Sequence, residues 1–247
     1  MGKLWTFGDS FTEGAGLSRI YDRDFKWIRK YHKNHIWAEV LSTNLGLELE
    51  NYGGSGASNM TILNTLITTL PSLGSQDVVI IGTTDPSRYL IHSNTKHIEL
   101  SPVSVDNLHK ELNCWPTPDL LYTKEEENTI RDYYLLTTRR SEVYREVYTG
   151  LFDSICRHLR GLGITCLLWD CGLWGDLENI QSWSNDEYPD GHWSPNGNII
   201  FAEYLTYLIQ SNTTSEIIYS SHLKQNYQQL LTISTKHQYI NYKKPLL

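Results

Sequence analysis

The sequence predicts an α/β fold: a parallel β-sheet covered by helices on both faces. Three observations predict it. Short apolar runs alternate with longer amphipathic ones along the 247 residues, as they do in strand–helix units that build a buried parallel sheet. One run, VVIIG at 78–82, is apolar at successive positions, as a strand covered on both sides must be. Motifs able to carry chemistry, GDSFTEG at 8–14 and NYGGSGASN at 51–59, each follow a strand-like run, and such sheets bind ligands beyond the carboxyl ends of their strands.

Lys3–Phe7 reads as the first strand. Ile36–Leu45 has helical spacing and is stopped by Gly46, and Leu47–Tyr52 is the second strand. Asn59–Leu70 is helical and ends before Pro71. Asp77–Gly82 is the clearest buried strand. Ser141–Leu162 shows helical spacing through Val143, Val147, Leu151, Ile155 and Leu159 and ends near Gly163. Ile164–Trp169 is a further strand. Asn196–Gln210 closes the pattern as a helix with apolar Ile199, Ile200, Ala202, Leu205 and Leu208.

This length suits one domain, expected over residues 1–210. Two regions break the rhythm. Residues 83–140 form a long insertion, expected as a lid or small subdomain, in which Thr123 and Glu126 fit a capping box that opens a helix. Residues 211–247 read as a polar C-terminal extension rich in Asn, Gln, Thr and Tyr.

Composition excludes several function classes. Lys and Arg number 21 against 28 Asp and Glu, for a net charge of -7. No basic block stands out, so no nucleic-acid partner is expected. No apolar run approaches the roughly 20 residues that span a bilayer, so no membrane partner is expected. The N-terminal MGKLWTFGDS has no apolar signal region, and a cytoplasmic location is expected. Gly2 and Thr6 fit a loose myristoylation pattern but run straight into a buried strand. Cys114, Cys156, Cys166 and Cys171 form no CxxC pair, so reduced, mostly buried thiols are expected. Histidines do not cluster with Cys or carboxylates at ligand spacing, and neither GxxxxGK[ST] nor GxGxxG occurs, so no metal and no cofactor are expected. Aromatic residues reach 12%, which serves either a carbohydrate-facing surface or the core.

Two motifs point to nucleophilic catalysis. Ser10, at a strand end and a helix start, sets its hydroxyl over the sheet's edge with its own N–H facing any anion formed there. The bland reading is a helix-capping serine. A serine hydroxyl needs a neighbouring base to take its proton. His192, in DGHWSPNGN at 190–198, directly before the last helix, is the candidate, and Asp190 can hold its other ring nitrogen.

Together these motifs resemble the SGNH hydrolase family, also called GDSL esterases, in which the nucleophile block begins the chain and an Asp–His block precedes the last helix. The matching order runs over residues 4 to 210. The resemblance implies a flavodoxin-like three-layer α/β/α sandwich with the inserted, lid-like region, and serine esterase or acetylesterase chemistry. It implies a second block whose glycine N–H joins the oxyanion hole. NYGGSGASN looks like that block, with Gly56 best placed and Gly53 and Gly54 as rivals. The third block is normally Gly-x-Asn-Asp. This chain has GTTDPSR at 82–88, so Gly82 and Asp85 match while Thr84 replaces the Asn. Losing one oxyanion donor typically costs about 100- to 1,000-fold in rate. Three outcomes stay open: Thr83 or Thr84 substitutes, Asn59 supplies the amide, or the site is slow or altered. The commoner Asp-x-x-His spacing would fall on Pro189, so the match is Asp190, with Asp186 as fallback. Asp9 and Arg88 are counted with the oxyanion and substrate-binding set. Arg88 holds a substrate carboxylate or sugar group, or else pairs with an acidic residue. Trp193 flanks the acyl pocket or packs, and Glu13 is read as a solvated helix residue.

The expected function is therefore a serine esterase acting on small acyl esters, with O-acetyl groups on a carbohydrate favoured by the polar, aromatic-rich composition. An acyltransferase uses the same triad. A binding or structural module with weakened catalysis is the competing reading, motivated by Thr84 and the insertion.

Overall fold

The structure is a computed structural model, and it describes residues 2–14, 35–92, 97–102, 105, 123–170, 192–193, 195–212 and 217–218. Its central sheet is parallel and holds β1 (Lys3–Gly8), β2 (Glu48–Gly53), β3 (Val78–Gly82), β6 (Thr165–Trp169) and the two-residue β7 (Ile217–Ile218) in the order β2-β1-β3-β6-β7. Side chains alternate across it with period two. Leu4, Val78, Ile80, Leu167 and Trp169 enter one core layer; Trp5, Phe7, Val79, Ile81, Cys166 and Leu168 enter the other. The first layer is closed by α2 (Trp37–Leu45) and α6 (Pro195–Gln210), the second by α3 (Asn59–Thr69) and α5 (Ser141–Gly161). This is the α/β/α sandwich expected from the sequence. Trp37, Trp169 and Phe201 are fully buried in the first layer, and truncating a buried Phe or Trp to Ala costs about 3–5 kcal/mol.

Local chemistry sets the element ends. Gly46 takes the left-handed conformation (φ 66°) that stops α2, and its N–H caps the carbonyls of Ser42 and Thr43. Ser58 caps α3 by accepting from the Thr61 N–H. α3 ends one residue short of the expected boundary and passes into a 3-10 turn over Leu70–Ser72, where Pro71 cannot donate to continue it. In the second core layer Cys156 and Cys166 lie fully buried and free, with their sulfurs in contact.

The long helix α5 ends one residue short of the expected boundary, and the apolar row read from its spacing is buried only toward its C-terminal end. Val143, Val147 and Leu151 are 57%, 57% and 41% exposed, whereas Phe152, Cys156 and Leu159 are buried. A strict i,i+4 row slips about 40° per step on an α-helix, so Val143 lies about 160° from Leu159. The buried face follows the mixed i+3/i+4 spacing instead.

The insertion after β3 carries secondary structure. β4 (Tyr89–His92) and β5 (His97–Leu100) form an antiparallel hairpin, and α4 (Lys124–Thr138) starts at the expected Thr123/Glu126 capping box. Leu100, Val105 and Tyr134 form a small cluster with Tyr89, Ile91 and Ile130. Glu99 fastens this unit to the main domain: its carboxylate accepts from the Ser58 N–H at 3.1 Å and from the Thr61 hydroxyl. Ile217–Ile218, inside the stretch read as a polar extension, add the edge strand β7; two residues are too short to show a period. Among the described residues, no helix is long and apolar enough to cross a membrane.

Candidate active site

Ser10 is the first residue of α1 (Ser10–Glu13), one residue beyond the end of β1. Gly8 lets the chain fold back so tightly, since a Cβ there would lie 2.1 Å from the Thr12 hydroxyl. Asp9 caps the turn by accepting the Phe11 N–H on Oδ1 at 3.1 Å. The Ser10 side chain faces His192, whose Nε2 lies 2.8 Å from Ser10 Oγ across 182 residues of sequence.

Aromatic packing fixes the histidine. The Phe11 ring stacks on the imidazole, and Trp193 sets its edge against Phe11. Trp193 is buried against Trp169 and Phe201; of the two roles expected for it, packing is visible. Asn198 on α6 ties the region together. Its side chain donates to the Trp193 carbonyl at 3.3 Å and accepts from the Trp37 N–H at 3.2 Å, while Trp37 Nε1 donates to the Phe11 carbonyl at 2.9 Å. The sequence reading missed Asn198 and Phe11 as site supports. Phe11 is the neighbour of Ser10, and Asn198 lies one turn into the helix after His192, so proximity to the motifs is the only available signal.

The loop after β2 lies beside Ser10 because β2 pairs with β1. Two of its three glycines have their N–H groups engaged: Gly53 donates to Asn51 Oδ1 at 2.8 Å, and Gly54 to the Gly8 carbonyl at 3.1 Å. Gly53 is also held to glycine by packing, since a Cβ there would lie 2.3 Å from the Glu13 nitrogen. Gly56 adopts φ 80°, which disfavours a side chain. Among the described residues, the N–H groups of Ser10 and Gly56 donate to no acceptor. Glu13, read as solvated, accepts the Ser55 hydroxyl of this same loop.

The third block is organised inward. Thr84 Oγ1 donates to Asp9 Oδ2 at 2.8 Å, so its one hydroxyl proton is committed there. Asn59 pairs reciprocally with the Thr84 backbone: Nδ2 donates to the carbonyl at 3.0 Å and Oδ1 accepts the N–H at 2.9 Å. Two of the three side chains offered by sequence as replacement oxyanion donors, Thr84 and Asn59, are thus engaged in holding the loop. The Thr83 N–H donates to the Trp169 carbonyl at 3.0 Å. Arg88 Nη1 donates to Asp9 Oδ2 at 2.9 Å and to Thr84 Oγ1 at 3.1 Å, which is the acidic pairing rather than an open clamp. Burial pushes the Asp9 carboxyl up from its ordinary range, and Arg88, Thr84, the Phe11 N–H and His192 pull it back only in part.

The structure therefore gathers Ser10, His192, Asp9, Thr84, Arg88 and Asn59 at one edge of the sheet, with the Gly56 loop beside them. Asp190 and Asp186 lie outside the described residues. Among the described residues, no group of three or more His, Cys, Asp or Glu is placed to hold a metal.

A family model described as GDSL-like Lipase/Acylhydrolase matches residues 4–205. No curated protein matches the chain in sequence. Among solved structures, a candidate lipolytic protein of the G-D-S-L family from Desulfitobacterium hafniense DCB-2 is similar at 13% identity and TM-score 0.41, over 84% of this chain and 99% of that one. A member of the lipolytic protein G-D-S-L family from Veillonella parvula DSM 2008 is similar at 15% identity and TM-score 0.35, over 85% and 97% of the two chains. The family match spans both ends of the site, from the strand that leads into Ser10 to the helix that follows His192, and the chain belongs to the GDSL-like lipase/acylhydrolase family.

Proposed function

We propose that the chain is a serine esterase acting on small acyl esters. The observation that carries this is the 2.8 Å contact between Ser10 Oγ and His192 Nε2, the distance a base needs to take the hydroxyl proton. Ser10 attacks the acyl carbonyl as His192 accepts its proton, and the resulting oxyanion sits against the N–H groups of Ser10 and Gly56. His192 then protonates the departing alcohol. Water, activated by His192 in turn, releases the acyl group from Ser10. Asp190 is assigned by family resemblance to orient His192.

O-acetyl groups on a carbohydrate are the preferred substrates, a reading supported by the polar, aromatic-rich composition. An acyltransferase would use the same groups and replace water with a sugar hydroxyl. A weakened, binding-only site is the second reading, favoured by one observation: Thr84 and Asn59 both direct their donors into the protein. Hydrolysis of p-nitrophenyl acetate tests the proposal. Ser10→Ala is expected to abolish it with the fold intact, and full activity in that variant sinks the esterase reading.

A further inference from the structure

We infer that Arg88 is a positioning residue of this site: its guanidinium neutralises the buried Asp9 carboxylate, and through Asp9 it fixes the turn that presents Ser10 to His192. The inference rests on the esterase reading above.

Asp9 is fully buried between the end of β1 and Ser10. An unpaired carboxylate in such a place is costly and takes up a proton instead. Three donors offset part of that cost. Oδ1 accepts the Phe11 N–H, which shapes the first turn of α1, while Oδ2 accepts Thr84 Oγ1 and Arg88 Nη1. Arg88 donates to the Thr84 hydroxyl as well, so one cation serves both partners. It is delivered by a tight turn in which the Arg88 N–H bonds the Asp85 carbonyl at 3.0 Å and the Ser87 N–H bonds Asp85 Oδ1 at 2.7 Å. The Arg88 side chain is only 19% exposed, so water screens the pair weakly. A substrate carboxylate at Arg88 would have to compete with Asp9 for that charge.

The groups facing Asp9 are Arg88, Thr84, the Phe11 N–H and His192. Arg88 carries the fixed positive charge among them. Burial already outweighs the donors around Asp9, and without Arg88 it is opposed still less, so Asp9 keeps its proton to higher pH. A protonated Asp9 must donate that proton, which sets it against the hydroxyl proton of Thr84 and loosens the cap beneath Ser10. The opposite charge of Arg88 holds the Asp9 carboxyl down against its burial. The turn that presents Ser10 needs Asp9 ionised, so removing Arg88 moves the acid limb of the kcat/KM profile upward. Misplacing a reacting group also costs up to about 100-fold in kcat, with KM little changed.

The test measures kcat, KM and the pH profile for p-nitrophenyl acetate in the full chain, with Arg88→Met and Arg88→Lys, alongside fluorophosphonate labelling of Ser10. Arg88→Met is expected to lower kcat and shift the acid limb upward, and Arg88→Lys to return the limb toward wild type. An acid limb that stays in place in folded Arg88→Met overturns the inference, whatever happens to kcat. If Arg88→Met does not fold, Thr84→Val carries the same test, with a smaller upward shift expected and an unmoved limb overturning it. Wild-type Ser10 that resists the probe removes the esterase reading and this inference together; labelled wild type with an unmoved limb removes this inference alone.

Discussion

The Phe11 ring lies nearly flat on the His192 imidazole, with centroids 4.8 Å apart and planes inclined by 23°. Phe11 is thus joined to both halves of the candidate site, since its backbone follows Ser10 and its side chain supports the base. An aromatic contact of this kind contributes about 0.5–1.5 kcal/mol beyond its buried area. Phe11→Leu keeps an apolar side chain but removes the flat face. It is expected to lower kcat by up to about tenfold, the rate equivalent of that energy, with little change in KM. Steady-state kinetics on p-nitrophenyl acetate check this; an unchanged kcat in the folded variant would mean that the ring only fills space.

Asn59 replaces both hydrogen bonds that Thr84 would otherwise lack, using one amide face for the N–H and the other for the carbonyl. Both groups are buried. Asn59→Ala leaves each of them without a partner, and a stranded buried group costs about 1–3 kcal/mol. Asn59→Asp keeps an acceptor for the N–H but turns a second oxygen toward the Thr84 carbonyl, so it is expected to recover little. Urea unfolding should show both variants well below wild type. A fully stable Asn59→Asp would show that the pairing contributes little.

The ends of the site were legible because each depends on local signals. Ser10 follows a strand directly, and His192 precedes a helix directly, so the parallel sheet had to bring them to one edge. The middle blocks were not legible, because their roles depend on distant partners. Nothing in NYGGSGASN reveals that Gly54 bonds Gly8 and Gly53 bonds Asn51 while Gly56 bonds neither. Nor does GTTDPSR reveal that Thr84 turns toward Asp9. For the fold, Gly46 and the Thr123/Glu126 box mark helix ends through their own backbone chemistry. The buried face of α5 was not legible, because apolar residues lie on both sides of it and the sheet beneath decides which side is buried.

Asp77 joins the start of β3 to the start of β1. Its carboxylate accepts the Lys3 N–H, the Trp5 indole N–H and the Gly74 N–H, each at 2.8 Å. Burial pushes its carboxyl up, but these donors outweigh that and hold it below its ordinary range. A folded-state value below the unfolded one adds stability above the unfolded value, and that stability is lost as pH falls through the folded one. Asp77→Asn keeps the shape, removes the charge and turns one accepting oxygen into a donating NH2. It is expected to cost about 2 kcal/mol near neutral pH, the scale of a hydrogen bond to a charged group. The gap from wild type should narrow as pH falls below the ordinary carboxylate range, where wild-type Asp77 also gains a proton. Chemical denaturation of both proteins across that range checks the sign. A gap that stays constant into acid would show that the lost acceptor oxygen, not the charge, makes Asp77 the clasp between these two strands.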